Sequence, residues 1–398
     1  MNEQQGWPAI GYEEHLWVPS TRATWGVRSE HAGVGTTYRS AVVPPIAGKV
    51  PELGLELSRA AENAEQELAR FDAELGQQIA SFAPVLLRSE AASSSQIENL
   101  TASARAIFSA ELGAKRSRNA EEITSNTFAM RAAIDLARDL TVDSIREVHR
   151  VLMGEQPRHT PGEWRDEPVW IGARSDSPVG ASYVGPHHPY IQDLMNDLAI
   201  FMNDLSASPL VSVAVAHAQF ETIHPFSDGN GRTGRALAQS MLRHRGVTRN
   251  VAVPVSAGLL ADVEGYHEAL TAYRAGDVEP IVRQFADASL RAVSNARRLV
   301  ADIEEIRLSW DQRLHARRNS NAWKLLDVFA SRPVLSSAAA AEELGVKQPN
   351  VYPPLRALVD AGIAKSKAEH GLGPFWRSDE VLAAIDGFAH RAGRRSAT

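Results

Sequence analysis

Twelve residues constrain this chain more than any others: His224-Pro225-Phe226-Ser227-Asp228-Gly229-Asn230-Gly231-Arg232-Thr233-Gly234-Arg235. Gly229 and Gly231 permit positive φ, so the backbone can approach an anion and turn successive N–H groups toward it. From Arg235 the run Arg-Ala-Leu-Ala-Gln-Ser-Met-Leu-Arg consists mostly of strong helix formers. The loop should therefore open into a helix whose positive end faces the same anion. If that helix starts near Arg232, Arg232 and Arg235 are three apart on one face and present two guanidinium forks to phosphate groups.

A carboxylate among so many phosphate binders would repel the ligand unless a cation lay between them, so Asp228 reads as a Mg²⁺ ligand. His224 is the side chain of the run whose solution pKa lies near neutrality, which suits a general base acting on a hydroxyl. Phe226 reads as a buried anchor holding the histidine in place. The competing reading is a helix-capping loop with a structural histidine, and the completeness of the constellation weighs against it.

The run matches the signature His-Pro-Phe-x-(Asp/Glu)-Gly-Asn-Gly-Arg-x-x-Arg at every defined position, so the chain resembles the Fic family of protein adenylyltransferases. The resemblance implies transfer of AMP from ATP to a Ser, Thr or Tyr hydroxyl of a target protein, the enzyme itself included, with release of pyrophosphate. His224 would take the hydroxyl proton, and Asp228 would hold Mg²⁺, or Mn²⁺ in its place. Gly229, Asn230, Gly231, Arg232 and Gly234 would cradle the phosphates, and Arg235 would meet the γ-phosphate. Kinase-like relatives carry Lys where this chain has Gly231, which favours AMP transfer over phosphate transfer.

Upstream, Ser94-Ser95-Gln96-Ile97-Glu98-Asn99 fits the family's inhibitory pattern (Ser/Thr)-x-x-x-Glu-(Gly/Asn). The resemblance implies that Ser94, Glu98 and Asn99 belong to an N-terminal inhibitory helix and that Glu98 pairs with Arg235, because a carboxylate competes with phosphate for the same donors. Some relatives use the equivalent glutamate to position water and remove AMP, which leaves a de-AMPylating phosphodiesterase as an alternative. A regulator that binds DNA, with subordinate nucleotide chemistry, is another.

Composition adds boundaries. A chain of 398 residues has room for two or three domains. It has no Cys, so disulfides and thiolate metal sites are ruled out. No run reaches the ~18 apolar residues of a membrane span, so the cytoplasm is the expected compartment and no membrane partner is expected. A net charge of −6 argues against a whole-molecule nucleic-acid binder. The excess of Arg over Lys suggests a GC-rich bacterial genome.

Helical spacing dominates the chain, so the expected fold is mainly α, with a short β-hairpin flap and a C-terminal domain resembling a winged helix-turn-helix. Residues 1–113 form the N-terminal helical region with the inhibitory motif, 114–300 the catalytic core, 301–319 a linker helix, and 320–398 the winged-helix-like domain. Residues 1–50 read as irregular, with turn-rich Trp-Pro and Val-Pro stretches. Apolar positions recur at helical spacing from about 52 to 113, over Ala120 to Ala137, and after the cap-like Thr141.

Trp170-Ile171 and Tyr183-Val184 read as two short strands, and the resemblance makes them a flap that docks the target as an added strand. His217, on the helix feeding the motif, reads as a packed residue, and Tyr266 and Tyr273 as core. Residues 320–398 hold ten Lys/Arg against eight Asp/Glu, a weak footprint for DNA. Protein contact or a homodimer is the stronger expectation there. Pro353 and Pro354 disturb the expected recognition helix and place its start near Pro353.

Overall fold

The computed structural model describes residues 6–17, 36–76, 79–115, 117–154, 160–172, 174, 176–369 and 371–393. The molecule is mainly helical. Strands β1 (Gly11–Leu16) and β2 (Thr37–Val42) precede helices α1 (Leu55–Glu74), α2 (Ile79–Ile97), α3 (Ala104–Glu111), α4 (Arg118–Asp135) and α5 (Val142–Met153). The short strands β3 (Trp170–Ile171) and β4 (Tyr183–Val184) follow, then α6 (Ile191–Asn203), α7 (Pro209–Ile223), α8 (Asn230–His244), α9 (Val255–Leu260), α10 (Val263–Arg274) and the long α11 (Glu279–Arg313). The C-terminal part consists of α12 (Asn321–Ser331), β5 (Val334–Ser336), α13 (Ser337–Leu344), α14 (Tyr352–Asp360), β6 (Lys365–Glu369), β7 (Gly373–Arg377) and α15 (Asp379–Ala392).

At the centre stands α7. Its sequence is apolar or small nearly all round, and every residue from Leu210 to Ile223 is buried, as expected of a helix with no solvent face. It packs against α1, α6, α8, α10 and α11. Two carboxylates, the buried Asp72 and the half-buried Asp197, fix the connections around it. Asp72 accepts the backbone N–H groups of Arg249, Asn250 and Val251 at 2.8–2.9 Å, and Asp197 accepts those of Ile46 and Ala47 at 2.7 and 3.1 Å. Each carboxylate satisfies loop donors that have no secondary-structure partner.

The first fifty residues are not wholly irregular, and this corrects the expectation. Strands β1 and β2 pair antiparallel from Gly11↔Val42 to Leu16↔Thr37. Tyr38 and Ser40 point inward and Thr37 and Arg39 outward, the two-residue alternation of a half-buried strand. Neighbouring prolines masked that pattern. The Val18-Pro19 turn lies outside the described residues.

Helices α1 to α5 fall where apolar periodicity placed them. Thr141 caps α5 in a box whose reciprocal partner is Ser144. The anticipated boundary at 300/301 falls inside the continuous α11, so the expected linker helix is the second half of that element. Residues 321–392 share one apolar core with the rest of the molecule. Helix α15 packs on α2, α3, α9 and α11, and α12 packs on α2. Trp310, fully buried on α11, donates its indole N–H to Glu380 at 2.6 Å, and Asp386 accepts the Ala104 N–H at the start of α3 at 2.8 Å. The C-terminal sheet has the order β5-β7-β6, all antiparallel. Pro353 and Pro354 sit in the first turn of α14, where a missing N–H costs no helical bond. The amphipathic α15 was not anticipated, although Val381, Leu382, Ile385 and Phe388 carry its spacing.

Candidate active site

Helix α7 stops at His224, which adopts φ 50°, ψ 62° in the left-handed region. A non-glycine residue there is strained by about 1–3 kcal/mol and persists only where its surroundings over-determine it. The backbone N–H of His224 donates to Phe220 O at 2.8 Å. The buried Arg165 guanidinium donates to the carbonyls of His224 at 2.8 Å, Pro186 at 2.6 Å and Glu167 at 3.0 Å. Arg165 thus ties the end of α7 to the segment after β4. Burial lowers its own pKa to about 10, and it remains charged at neutral pH.

Phe226 is fully buried and stacks on His149, with centroids 3.6 Å apart and planes 6° apart. His149 Nε2 lies 3.1 Å from the Asp228 carbonyl, and His149 Nδ1 accepts the Gly162 N–H at 2.9 Å. With Nδ1 accepting, Nε2 carries the proton and donates to the loop.

The side chain of Asn230 accepts the Phe226 N–H at 2.9 Å and donates to Phe226 O at 2.8 Å. Its amide therefore braces the loop. Gly229 does use its freedom, at φ +75°.

Two glycine expectations change. Gly231 lies inside α8 without positive φ, and its use is space: a Cβ there would stand 2.1 Å from Glu98 Oε1. Gly234 faces α7, where a Cβ would meet Glu221 Oε1 at 2.8 Å and Phe220 Cδ1 at 2.9 Å. It permits close helix packing rather than phosphate contact, because its face of α8 is turned into the core.

The Ser94–Asn99 segment and Arg235 meet directly. Arg235 Nε donates to Ser94 Oγ at 2.9 Å, and its Nη2 donates to Ser94 O at 2.8 Å and to Glu98 Oε1 at 2.7 Å. Glu98 sits in the turn just after α2, which Asn99 closes in the left-handed conformation at φ 61°, a habit of Asn at helix ends. Burial would push the Glu98 pKa up, but the Arg235 guanidinium outweighs it and holds the carboxyl below its ordinary value. For Arg235, burial opposes the charge, yet Glu98 outweighs it and the pKa is raised.

Glu98, His224, Asp228, Asn230, Gly231, Arg232 and Arg235 line one cavity of about 490 Å³, shared with Glu122, Tyr266 and Arg274. Arg232 is buried, and among the described residues its Nε and Nη1 have no hydrogen-bond partner; Glu122 Oε2 stands 3.8 Å from Nη1. His224 Nδ1 lies 3.3 Å from Glu221 O, so that nitrogen carries the proton and Nε2 keeps its lone pair. Burial first, then the Arg165 charge, lowers the His224 pKa to about 4. The imidazole is neutral at pH 7 and able to accept a proton.

The expected flap exists as a two-residue hairpin, Trp170↔Val184 and Ile171↔Tyr183. Ile171 is 54% exposed and borders the cavity. Tyr183 and Val184 are buried, the tyrosine donating to Thr222 O. Their side chains therefore belong to the core, and of the four hairpin residues only Trp170 and Ile171 reach solvent. His217 is packed as expected, its Nε2 2.7 Å from the Tyr266 hydroxyl, and burial lowers its pKa to about 3. Tyr273 is core. Sequence reasoning missed Arg165, His149 and Glu221, isolated residues whose roles are set by the tertiary fold and whose local sequence carries no pattern.

Family comparison is decisive at this point: the Fic/DOC family model matches residues 139–242, and the Fic/DOC family N-terminal model matches residues 58–135. The chain carries a Fic/DOC domain. Similar proteins include protein adenylyltransferase fic-1 of Caenorhabditis elegans, 30% identical over 167 residues that make up 41% of this chain and 30% of that protein. Protein adenylyltransferase Fic of Aedes aegypti is 31% identical over 157 residues, 39% of this chain and 28% of that protein. The matched part of the chain thus spans under a third of the length of these curated relatives. A Fic family protein from Desulfovibrio desulfuricans G20 shares the fold, with a TM-score of 0.51 and 22% identity over 80% of this chain and 95% of its own. The Fic signature maps onto the α7–loop–α8 hairpin, and the family's N-terminal region contains α2 and its terminal Glu98.

Proposed function

We propose that this Fic protein is an autoinhibited protein adenylyltransferase that moves AMP from ATP to a hydroxyl of a target protein and of itself. The observation that carries the reading is the convergence of a neutral His224, an amide-lined helix start and Arg232, a buried guanidinium with open donors, on one cavity. In the reaction, the acceptor oxygen attacks the α-phosphorus and its proton passes to His224 Nε2. A new O–P bond forms, the α–β bridging P–O bond breaks, and pyrophosphate leaves.

The amides of the first turn of α8 and Arg232 oppose the charge that grows on the phosphates. The donor set suits Mg²⁺: Asp228 offers one carboxylate at the cavity edge, its Oδ1 fixed by the Gly229 N–H at 2.6 Å, and a hard cation held by one carboxylate completes its shell with phosphate and water. Bound there, the ion would neutralise phosphate charge.

Inhibition rests on competition. Glu98 occupies the Arg235 donors that a γ-phosphate would use, so ATP entering the cavity is denied the contact that aligns it. The exposed Ile171, beside the cavity, would meet the target.

Wild type, Glu98→Gly and His224→Ala proteins incubated with Mg²⁺ and ATP labelled at the α- or the γ-phosphate test the reading. Protein-bound α label is expected, strongest in Glu98→Gly and lost in His224→Ala by about 10²–10⁴-fold, the range of general-base catalysis. Protein-bound γ label would replace AMP transfer by phosphate transfer. No label of either kind, with removal of AMP from a modified protein dependent on Glu98, would favour the hydrolytic alternative.

A further inference from the structure

A cluster of ligand-type side chains lies outside the lining of the candidate active site, where β1 meets the segment after β4. Glu13 and His15 are two residues apart on β1 and so share one face of the strand. His15 Nε2 lies 3.0 Å from Glu13 Oε1. His187, in the segment after β4, stacks its ring on that of His15, with centroids 4.4 Å apart and planes 29° apart. One ligand atom from each of the three lies within 4.8 Å of the others. All three side chains are part-buried, so one side of the cluster is open to water.

We propose that Glu13, His15 and His187 form a transition-metal site of the Zn²⁺ type, with water as the fourth ligand. Two imidazoles and a carboxylate are a donor set for Zn²⁺ and its late first-row neighbours, and a poor one for Mg²⁺ or Ca²⁺. Metal–donor distances of about 2.0–2.2 Å put tetrahedral donors roughly 3.3 Å apart. The Glu13–His15 pair, at 3.0 Å, is close to that spacing, and the His187 ligand atom, within 4.8 Å of both, would have to move closer to complete the set.

The surroundings fit as well. The Tyr38 ring stacks on His15 at 5.5 Å and 29°, and Trp17 meets Tyr38 edge-on at 6.2 Å, an aromatic wall that fixes ring orientation as outer-shell partners do.

The ion would join segments that are distant in sequence. β1 is held to β2 by pairing, while His187 follows β4 within three residues. Trp17, just past β1, already meets Trp170 of the flap at 5.9 Å. Tyr12 of β1 and Ile171 of β3 line one cavity of about 560 Å³ that adjoins the candidate active site. A metal at this point therefore fixes the wall beside the flap and acts on the structure, without touching phosphate chemistry.

The test uses the full chain without an affinity tag, stripped of metal by a chelator and titrated with Zn²⁺ against a chromophoric competitor. One equivalent should bind and excess Mg²⁺ should not displace it. Co²⁺ in its place should give the visible absorption of a tetrahedral ion, and Zn²⁺ should raise the Tm of the wild type. Since outer-shell partners alone are worth about 10–100-fold in affinity, His15→Ala and His187→Ala should each weaken binding by roughly 100-fold or more and abolish the Tm rise. Glu13→Gln should weaken it less, and His315→Ala, outside the cluster, should leave it unchanged. Should an alanine variant fail to fold by circular dichroism, His187→Gln and Glu13→Gln decide. Failure of the wild type to bind one equivalent, or equal binding by the wild type and the His15 and His187 variants, overturns the site.

Discussion

Arg232 and Arg235 lie one turn apart on the same helix, are both nearly inaccessible to solvent, and have opposite neighbours. Arg235 is engaged: Ser94 Oγ, Ser94 O and Glu98 Oε1 take the donors of its Nε and Nη2 at 2.7–2.9 Å. Arg232 has two donor nitrogens without a hydrogen-bond partner among the described residues, with the nearest carboxylate oxygen at 3.8 Å. A buried guanidinium without partners is costly to the fold. The end of α8 near Arg232 therefore keeps a cost that an anion would relieve, while the end near Arg235 has been relieved in advance by the chain itself. On the proposed function, the first would be a phosphate site held open and the second one already taken by Glu98.

The largest test of that contrast removes the open arginine. Arg232→Met, made in the Glu98→Gly background so that transfer is measurable, should lower AMP transfer by about 10²–10³-fold, the usual loss for a donor aimed at developing charge. The same change should leave Tm unchanged or raise it, because it deletes an unsatisfied buried charge. A fall in Tm would mean that Arg232 has partners in the ligand-free protein and that the contrast is wrong.

Next comes the occupied end. Hydrogen bonds to charged groups contribute about 1.5–3 kcal/mol, so releasing Arg235 by Glu98→Gly should raise transfer roughly 10- to 100-fold, measured as the initial rate of α-label incorporation. Gly231→Ala should act in the same direction and more weakly. Its Cβ would fall 2.1 Å from Glu98 Oε1, and the carboxylate is the flexible party that must move. A Gly231→Ala protein as inhibited as the wild type would show that Glu98 can hold Arg235 from another rotamer. Arg235→Met, unlike its Arg232 counterpart, should lower stability by about 2 kcal/mol in denaturant unfolding, since it strands the buried Ser94 oxygens.

How much of this was legible in the sequence follows the same division. That His224, Asp228, Gly229 and Arg232 line one cavity was legible because they lie on one loop and the first turn of the helix it opens. The Glu98–Arg235 pair joins residues 137 apart and became visible only through the family pattern. Arg165, which holds the strained His224 backbone from a distant segment, left no signal. Gly234 was misread because spacing alone does not say which face of a helix meets the core, and the same limit hid the burial of Tyr183 and Val184. The helical elements were legible because amphipathic period and caps are local. Strands β1 and β2, bounded by prolines, were not, since their pairing is set by contacts across the intervening chain.

The smallest expected effect is a null response to pH, and it separates the two ends most finely. Glu98 has its pKa lowered beneath the ordinary 4.5, Arg235 outweighing burial. Its charge, and with it the clamp, is complete above that value and is lost only as pH falls through the lowered one. His224, lowered from 6.5 to about 4 by burial and then Arg165, stays unprotonated through the same range, so the base keeps its lone pair. Between about pH 5.5 and 8.5 neither group changes charge, since each pKa lies more than one unit below the window. The ratio of Glu98→Gly to wild-type transfer rates should therefore be constant there, and the Glu98→Gly profile should show no acid limb near 6.5. A ratio that shrinks on acidification would mean that Glu98 gains a proton within the window and that competition at Arg235 is weaker than its geometry implies. An acid limb near 6.5 with a constant ratio would leave the clamp intact and place the error at His224, whose imidazole would then be better solvated than its position at the end of α7 implies.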